Sequence, residues 1–326
     1  MTAEANKEHN FWHLREYDEE FWANYLAFRP KYNANDFYNT VFSYHDSHSA
    51  CYDVAHDIGT GPGQVAAVLA SRFSRVVASD TNESHLLAAK RRCEAHANIE
   101  LLLSPGEKVA SKVPASSCDA VFCAGTIPLM DKERALAAFA EILKPNGTLA
   151  VWFYGRPFFV DGDTEACQAA YTNVFNKIVE KLLQTSTPEF RRGWKHGLDT
   201  IASRLDDVAF PADTWKHIER RKWNKHAVMG FNDENAMLGL GIDIISNVDQ
   251  EREKVVEIED DGFWAENWDV DQIRNFIRAV ILSDIAAIEE EPEIQELFDK
   301  LTDAMGGKGT KRAIGWPVVL LLASKK

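Results

Sequence analysis

No stretch of the chain approaches 18 apolar residues. The longest, Val318 to Ala323, has strand length, so neither a transmembrane helix nor a membrane partner is expected. Cysteine is sparse: the five (Cys51, Cys93, Cys118, Cys123 and Cys167) are odd in number and irregular in spacing, with no C-x-x-C. That favours reduced thiols in an intracellular compartment over a disulfide framework. Basic charge is also short, 36 Lys and Arg against 50 Asp and Glu, for a formal charge of -14. Phosphate neutralisation needs clustered cations, so no nucleic-acid partner is expected. An anionic small substrate remains open, because it sees only its pocket. Met1 to Trp12 carry no apolar run, so no secretory signal is expected and the reading is cytoplasmic. There is no internal repeat and no low-complexity segment.

What is present is ordinary for a soluble globular chain of 326 residues, 45% hydrophobic and 26% charged. That length suits one large domain, or a domain with a sizeable insertion. Phe21 to Phe28 reads as a short aromatic helix stopped at Arg29-Pro30, and Asn35 caps a second one. From about residue 52 short apolar runs alternate with helical periodicity every 20 to 25 residues. Strands are expected at Val54 to Ile58, Arg75 to Ser79, Ile99 to Leu103, Asp119 to Ala124 and Thr148 to Tyr154. Helices are expected at Gln64 to Phe73, Glu83 to Ala97 and Asp131 to Leu143. This alternation is the pattern of βαβ units and a parallel sheet. After Tyr154 it stops. Residues 158 to about 305 read as mostly helical, most clearly at Gln168 to Leu183 and Val270 to Glu290, before a strand at Pro317 to Ala323.

The chemistry concentrates in Asp57-Ile58-Gly59-Thr60-Gly61-Pro62-Gly63, after the first strand. Glycines there allow a sharp turn and close approach of the backbone to a ligand. Asp80 follows Gly63 by 17 residues at the end of the second strand, placed to accept from both hydroxyls of a ribose. Gly106-Glu107 follows the third strand, where an adenine would lie. A dinucleotide fingerprint requires G-x-G-x-x-G/A, but the sixth position is Gln64. The pattern G-x-G-x-G, with Asp57 as an acceptor for an amino group, favours S-adenosylmethionine (SAM) over a nicotinamide dinucleotide.

These residues resemble motif I of the class I SAM-dependent methyltransferases. The chain is similar more narrowly to the trans-aconitate methyltransferase-like group, including its fungal members. Tyr25-Leu-Ala-Phe-Arg29-Pro30-Lys-Tyr32 is similar to that group's Y-x-x-x-R-P-x-Y. Leu143-Lys144-Pro145-Asn146-Gly147 with Leu149 to Tyr154 is similar to its L-K-P-G-G turn and fifth strand. Trp268 to Arg278 resembles a cap helix, and Pro317 to Ala323 resembles its last strand. The resemblance implies an α/β Rossmann-like fold with a seven-stranded, mostly parallel sheet and a helical cap. It divides the chain into a helical lid (1–50), a SAM-binding core (51–157), a mostly helical cap (158–305) and the final strand (306–326). Expected cofactor contacts are Tyr25, Asp57, Gly59, Thr60, Gly61, Gly63, Asp80, Thr81, Gly106, Glu107 and Ala124. Expected substrate contacts are Arg29, Tyr32, Tyr154 and Trp268.

One departure bears on the chemistry. The group often has His-Trp after the fourth strand, where this chain has Pro128-Leu129. No catalytic residue is singled out. His196 and His217 stand in two basic islands, Arg191 to His196 and Trp215 to Arg221, and read as structural or solvated. His45 and His48 form H-x-x-H without a third ligand nearby in sequence, so no metal is expected. The function implied is methylation of a small organic acid or secondary metabolite, most simply at oxygen. The alternative is a non-methylating SAM-binding subunit of a heteromeric complex, or a repurposed enzyme. A dinucleotide-dependent oxidoreductase ranks third.

Overall fold

A computed structural model describes residues 19–32, 35–49, 51–230, 241–281 and 285–326. The first 18 residues of the expected lid lie outside the described residues. Helices α1 (Glu19–Phe28) and α2 (Asn35–His48) lead into β1 (Val54–Ile58), α3 (Gln64–Leu69), β2 (Arg75–Asp80), α4 (Glu83–Arg92), β3 (Ile99–Leu103), β4 (Cys118–Ala124), α5 (Lys132–Ile142) and β5 (Leu143–Tyr154). Asn82 and Asp131 cap α4 and α5 by accepting from backbone N–H groups of the first turn. Short 3-10 turns occupy Gly106–Ser111 and Ile127–Leu129.

Beyond β5 come β6 (Phe158–Phe159), α6 (Thr164–Thr185), α7 (Pro188–Ala202), β7 (Trp215–Trp223), β8 (Glu253–Ile258), β9 (Glu266–Trp268), α8 (Val270–Ile281), α9 (Ala286–Glu289), α10 (Pro292–Ala304), β10 (Arg312–Gly315) and β11 (Val318–Lys325). The long helix expected over Val270 to Glu290 is therefore α8, with α9 as a separate short turn.

The main sheet runs β3-β2-β1-β4-β5-β11-β7-β8. The first five strands in this order are parallel, β11 is antiparallel to both β5 and β7, and β8 runs parallel to β7. The sheet has eight strands rather than seven. Two of them, β7 and β8, come from the interval expected to be mostly helical. The sequence of β7, Trp-Lys-His-Ile-Glu-Arg-Arg-Lys-Trp, hides its strand character behind charge. Arg220 and Lys222 are nonetheless buried, Arg220 against Glu253 of β8 and Lys222 against Asp206. Buried charges are tolerated when paired in this way.

Both faces of the sheet are covered. Along β11, Val318, Leu320 and Leu322 join the core built with α2, α3, α6 and α8, while Val319, Leu321 and Ala323 join the one built with α5 and residues 205–210. This two-residue period makes the strand a continuous apolar run. Strand order reverses between β1 and β4, and a crevice opens there at the carboxyl ends of the strands, where α/β sheets bind ligands.

Candidate active site

The glycine loop closes on itself before it meets any ligand. Thr60 N–H donates to Ser79 O (2.9 Å) and Gly63 N–H to Thr60 O (2.9 Å). Gly59, Gly61 and Gly63 all have positive φ, a region costly for other residues. A Cβ on Gly59 would stand 2.5 Å from Thr126 Cγ2, whereas one on Gly61 would meet nothing within 4 Å. The loop is thus pressed against Thr126, just past β4, at one glycine and open to the crevice at the other.

Two acids brace it. Asp57 Oδ2 accepts from Thr60 Oγ1 (2.6 Å) and Ala66 N–H (3.0 Å). Burial pushes this carboxyl up to about 7. Asp80 Oδ2 accepts from Gly61 N–H (2.9 Å), and its Oδ1 lies 3.1 Å from both Asn82 N and His85 Nδ1. Trp22 of α1 meets the His85 ring edge-on at 4.9 Å.

A cavity of about 660 Å³ lies over the loop. It brings together Tyr25, Arg29, Tyr32, Asp57, Gly59, Thr60, Gly61, Asp80, Thr81, Gly106, Glu107, Ala124 and Tyr154. Glu107 Oε1 accepts from Asp131 N–H (3.1 Å) across the far end. A second chamber of about 140 Å³ shares Arg29, Gly125, Leu129, Phe153 and Tyr154 with the first. Its other walls include Pro128, Phe175, Trp194, Leu198, Ile201, Met229 and Phe276, and among the described residues none of its lining is acidic. At the shared wall the Arg29 guanidinium donates to Tyr154 Oη (3.1 Å) and, through Nε and Nη2, to Ala279 O of α8 (3.2 and 2.7 Å). It lies over the Tyr25 ring at 4.2 Å. Burial alone would lower its pKa, but the phenols of Tyr154, Tyr25 and Tyr32 outweigh that and hold it above its ordinary value. The group is charged at any working pH.

A family model described as a methyltransferase domain matches residues 56–151, from β1 through most of β5. Methyltransferase pgmE of Aspergillus terreus is 39% identical over 333 residues, covering 99% of this chain and 99% of that protein. Methyltransferase cfoB of Aspergillus candidus is 39% identical over 95% of this chain and 96% of its own length. The chain belongs to the class I SAM-dependent methyltransferases. A solved structure of a type II methyltransferase candidate from Anaeromyxobacter dehalogenans agrees in fold, with a TM-score of 0.54 at 17% identity over 87% of this chain and 94% of that one.

The cofactor of this methyltransferase is SAM, and the cavity suits it. Of the five acids on its wall, Asp57, Asp80 and Glu107 match a cationic amino group and ribose hydroxyls, and the open side of Gly61 lets backbone approach. Gly63 does not line the cavity. It precedes α3, and a Cβ there would sit 2.8 Å from Cys93 Sγ and 3.3 Å from Ala89, so it serves the turn and the packing of α3 on α4.

Trp268 corrects the sequence reading. It lines neither chamber. It is buried, its indole N–H donates to Glu266 (3.0 Å), and its ring packs on Trp316 and Phe276 at 5.5 and 5.7 Å. A tryptophan before an amphipathic helix looks the same in sequence whether it faces core or ligand. His217 also lies away from both chambers, beside His48 at 4.7 Å.

His196, read from sequence as structural, reaches the wall of the large cavity, its Nε2 3.3 Å from Met130 O. A carbonyl only accepts, so Nε2 carries the proton. His85, Thr126 and Met130, on the same wall, are not singled out by the sequence. Only His85 left a signal: five residues past Asp80, it falls on the first turns of a helix whose start the acid marks. The H-x-x-H pair does not converge, since His45 bonds Thr148 Oγ1 and Cys51 O, both at 2.8 Å. Cys51, Asp53 and Asp119 do converge, but there Lys144 Nζ already supplies the cation, 2.7 Å from Asp119 and 3.4 Å from Asp53.

Proposed function

We propose that this methyltransferase acts on an oxygen of a small organic acid or acidic secondary metabolite held in the apolar chamber. The observation that carries the reading is the shared wall. A large cavity bearing five acids opens onto a small apolar one with none, and a buried guanidinium stands at the junction. When bound, SAM supplies an electrophilic methyl group for in-line displacement by the acceptor. The residues of the chain do the placing. Asp80 and Glu107 accept from the adenosine and Asp57 faces the amino-acid end, with Thr60, Thr81, Ala124 and Tyr25 completing the cofactor wall. Tyr32 and Arg29 close the side nearest the acceptor.

Pro128 and Leu129, where an imidazole and an indole would stand in the trans-aconitate methyltransferase-like group, both form apolar chamber wall. That removes a base from this position and supports an acceptor that arrives ionised, since a carboxylate needs none. Placement in that subgroup, with its lid over 1–50 and cap over 158–305, is part of the same reading. So is a cytoplasmic enzyme without nucleic-acid or membrane partners. No described helix is long and apolar enough to cross a membrane.

The test is transfer of label. Purified protein is incubated with methyl-labelled SAM and a panel of aliphatic acids, aromatic acids and phenols, and products are resolved by mass spectrometry. Label is expected on oxygen of an acid. Cofactor binding without any labelled product, or label only on nitrogen or carbon, sinks the reading.

A further inference from the structure

The Tyr154 hydroxyl stands where the two chambers meet, at the end of β5, on a residue only 5% exposed. Arg29 Nη1 donates to its oxygen at 3.1 Å. A guanidinium has no acceptor, so this bond uses a lone pair of the phenol and turns the phenol hydrogen elsewhere. Among the described residues nothing accepts that hydrogen. Arg29 itself is fixed, with two further N–H groups on Ala279 O and its face on Tyr25. A donor that faces a cavity and has no protein acceptor is free to bond a ligand that enters there.

We propose that the Tyr154 hydroxyl, with Arg29 as its positioning residue, donates a hydrogen bond to an oxyanion of the acceptor and so selects acids at the mouth of the apolar chamber. This rests on the function proposed above and adds the group that reads the substrate. Burial raises the Tyr154 phenol well above its ordinary value, so the group keeps its proton and acts as donor, not base. The neighbouring guanidinium strengthens the donor and favours negative charge on what it binds. No proton changes hands at Tyr154. An acceptor that enters ionised leaves its proton in solvent, keeps one oxygen on Tyr154 and presents the other, or the same oxygen's second lone pair, to the methyl group. Carboxylates and acidic phenols share this chemistry.

Binding without turnover tests it. With S-adenosylhomocysteine bound, the affinities of benzoate, 4-nitrophenolate and benzyl alcohol are measured by calorimetry for the wild type, Tyr154→Phe and Arg29→Lys. The better of the two anions is expected to bind the wild type at least about tenfold tighter than the alcohol, the effect of one hydrogen bond to a charged group. Which anion wins names the acceptor source. Tyr154→Phe keeps the ring packed on Trp316 and Tyr32, and should shrink the preference to within about threefold. Arg29→Lys keeps the charge but loses the fork, and should lie between the two. Thermal unfolding with S-adenosylhomocysteine checks that each variant is folded. The proposal is overturned if neither anion binds the wild type better than the alcohol, or if the preference survives in Tyr154→Phe. Because no methyl moves here, a negative labelling panel leaves this result standing, and methylation of neutral alcohols alone would remove this proposal while leaving methyl transfer.

Discussion

The two chambers share five residues and little else. The cofactor cavity is made by the chain's backbone: glycines at positive φ, the ends of parallel strands, and acids that hold N–H groups in place. The chamber proposed for the acceptor is made by side chains that arrive from β5, α6, α7, residues 229–230 and α8. The first is acid-rich, the second apolar without an acid. A ligand in one is held by hydrogen bonds and charge, a ligand in the other by shape and by the few polar groups at the door. Damage should therefore separate cleanly between binding the donor and choosing the acceptor.

The largest separation is expected from Asp80→Ala. It removes the acceptor of Gly61 N–H and the expected partner of the ribose, and should weaken S-adenosylhomocysteine roughly 100-fold, about 3 kcal/mol. Calorimetry reads this directly, and an affinity within a few-fold of wild type would break the assignment.

Asp57 gives the cofactor side a pH dependence that the acceptor side lacks. Its carboxyl titrates near 4 in the unfolded chain and at about 7 when folded. Between those values the folded state holds a proton that the unfolded state has lost, so stability falls as pH rises from 4 to 7 and the loss is complete above 7. Asp57→Asn should flatten this fall, gaining on the order of 2 kcal/mol relative to wild type between pH 4.5 and 8. Urea unfolding at the two pH values checks it. An unchanged difference between variant and wild type would mean that Asp57 does not titrate there.

Gly63→Ala sharpens the line between loop and ligand. Strain at φ +80 and the crowding on Cys93 should cost about 1–3 kcal/mol of stability. The folded fraction should keep near-normal cofactor affinity, since Gly63 lines neither chamber. The smallest effect is on the other side. Ile201→Phe adds bulk to the acceptor chamber alone and should lower kcat/KM for the acid identified by labelling about tenfold. Cofactor affinity should stay within about twofold. A fall in both would show that the chambers are not separable.

The same contrast decides what the sequence made legible. Asp57 to Gly63, Asp80 and Gly106-Glu107 are each a local device: a turn, a strand end, a loop after a strand. Spacing along the chain carries such devices, and the cavity gathers their residues except Ile58 and Gly63. The acceptor chamber has no such spacing. Trp194, Met229 and Phe276 meet only because α7 and α8 close over β5, and each alone looks like core. Trp268 is the converse, a core residue that looked like ligand wall. In β7 the failure was one of charge. Arg220 and its neighbours suggested a solvated island, yet Glu253 and Asp206, the partners of Arg220 and Lys222, lie 33 and 16 residues away in sequence, too far for pattern to pair them.

The position of β11 carries a consequence for how the chain comes together. It is the last strand in sequence order but stands between β5 and β7, bonded to both along nearly its full length. Strands β7 and β8, although made earlier, have no route to the parallel core except through it. On a ribosome the half of the sheet that holds the glycine loop can therefore assemble while the other half waits unattached. The wait ends when one eight-residue segment slides in and zips both sides at once. Contacts of such long sequence separation slow folding. A nascent or C-terminally clipped chain would expose two long open strand edges, the kind of surface that chaperones must cover.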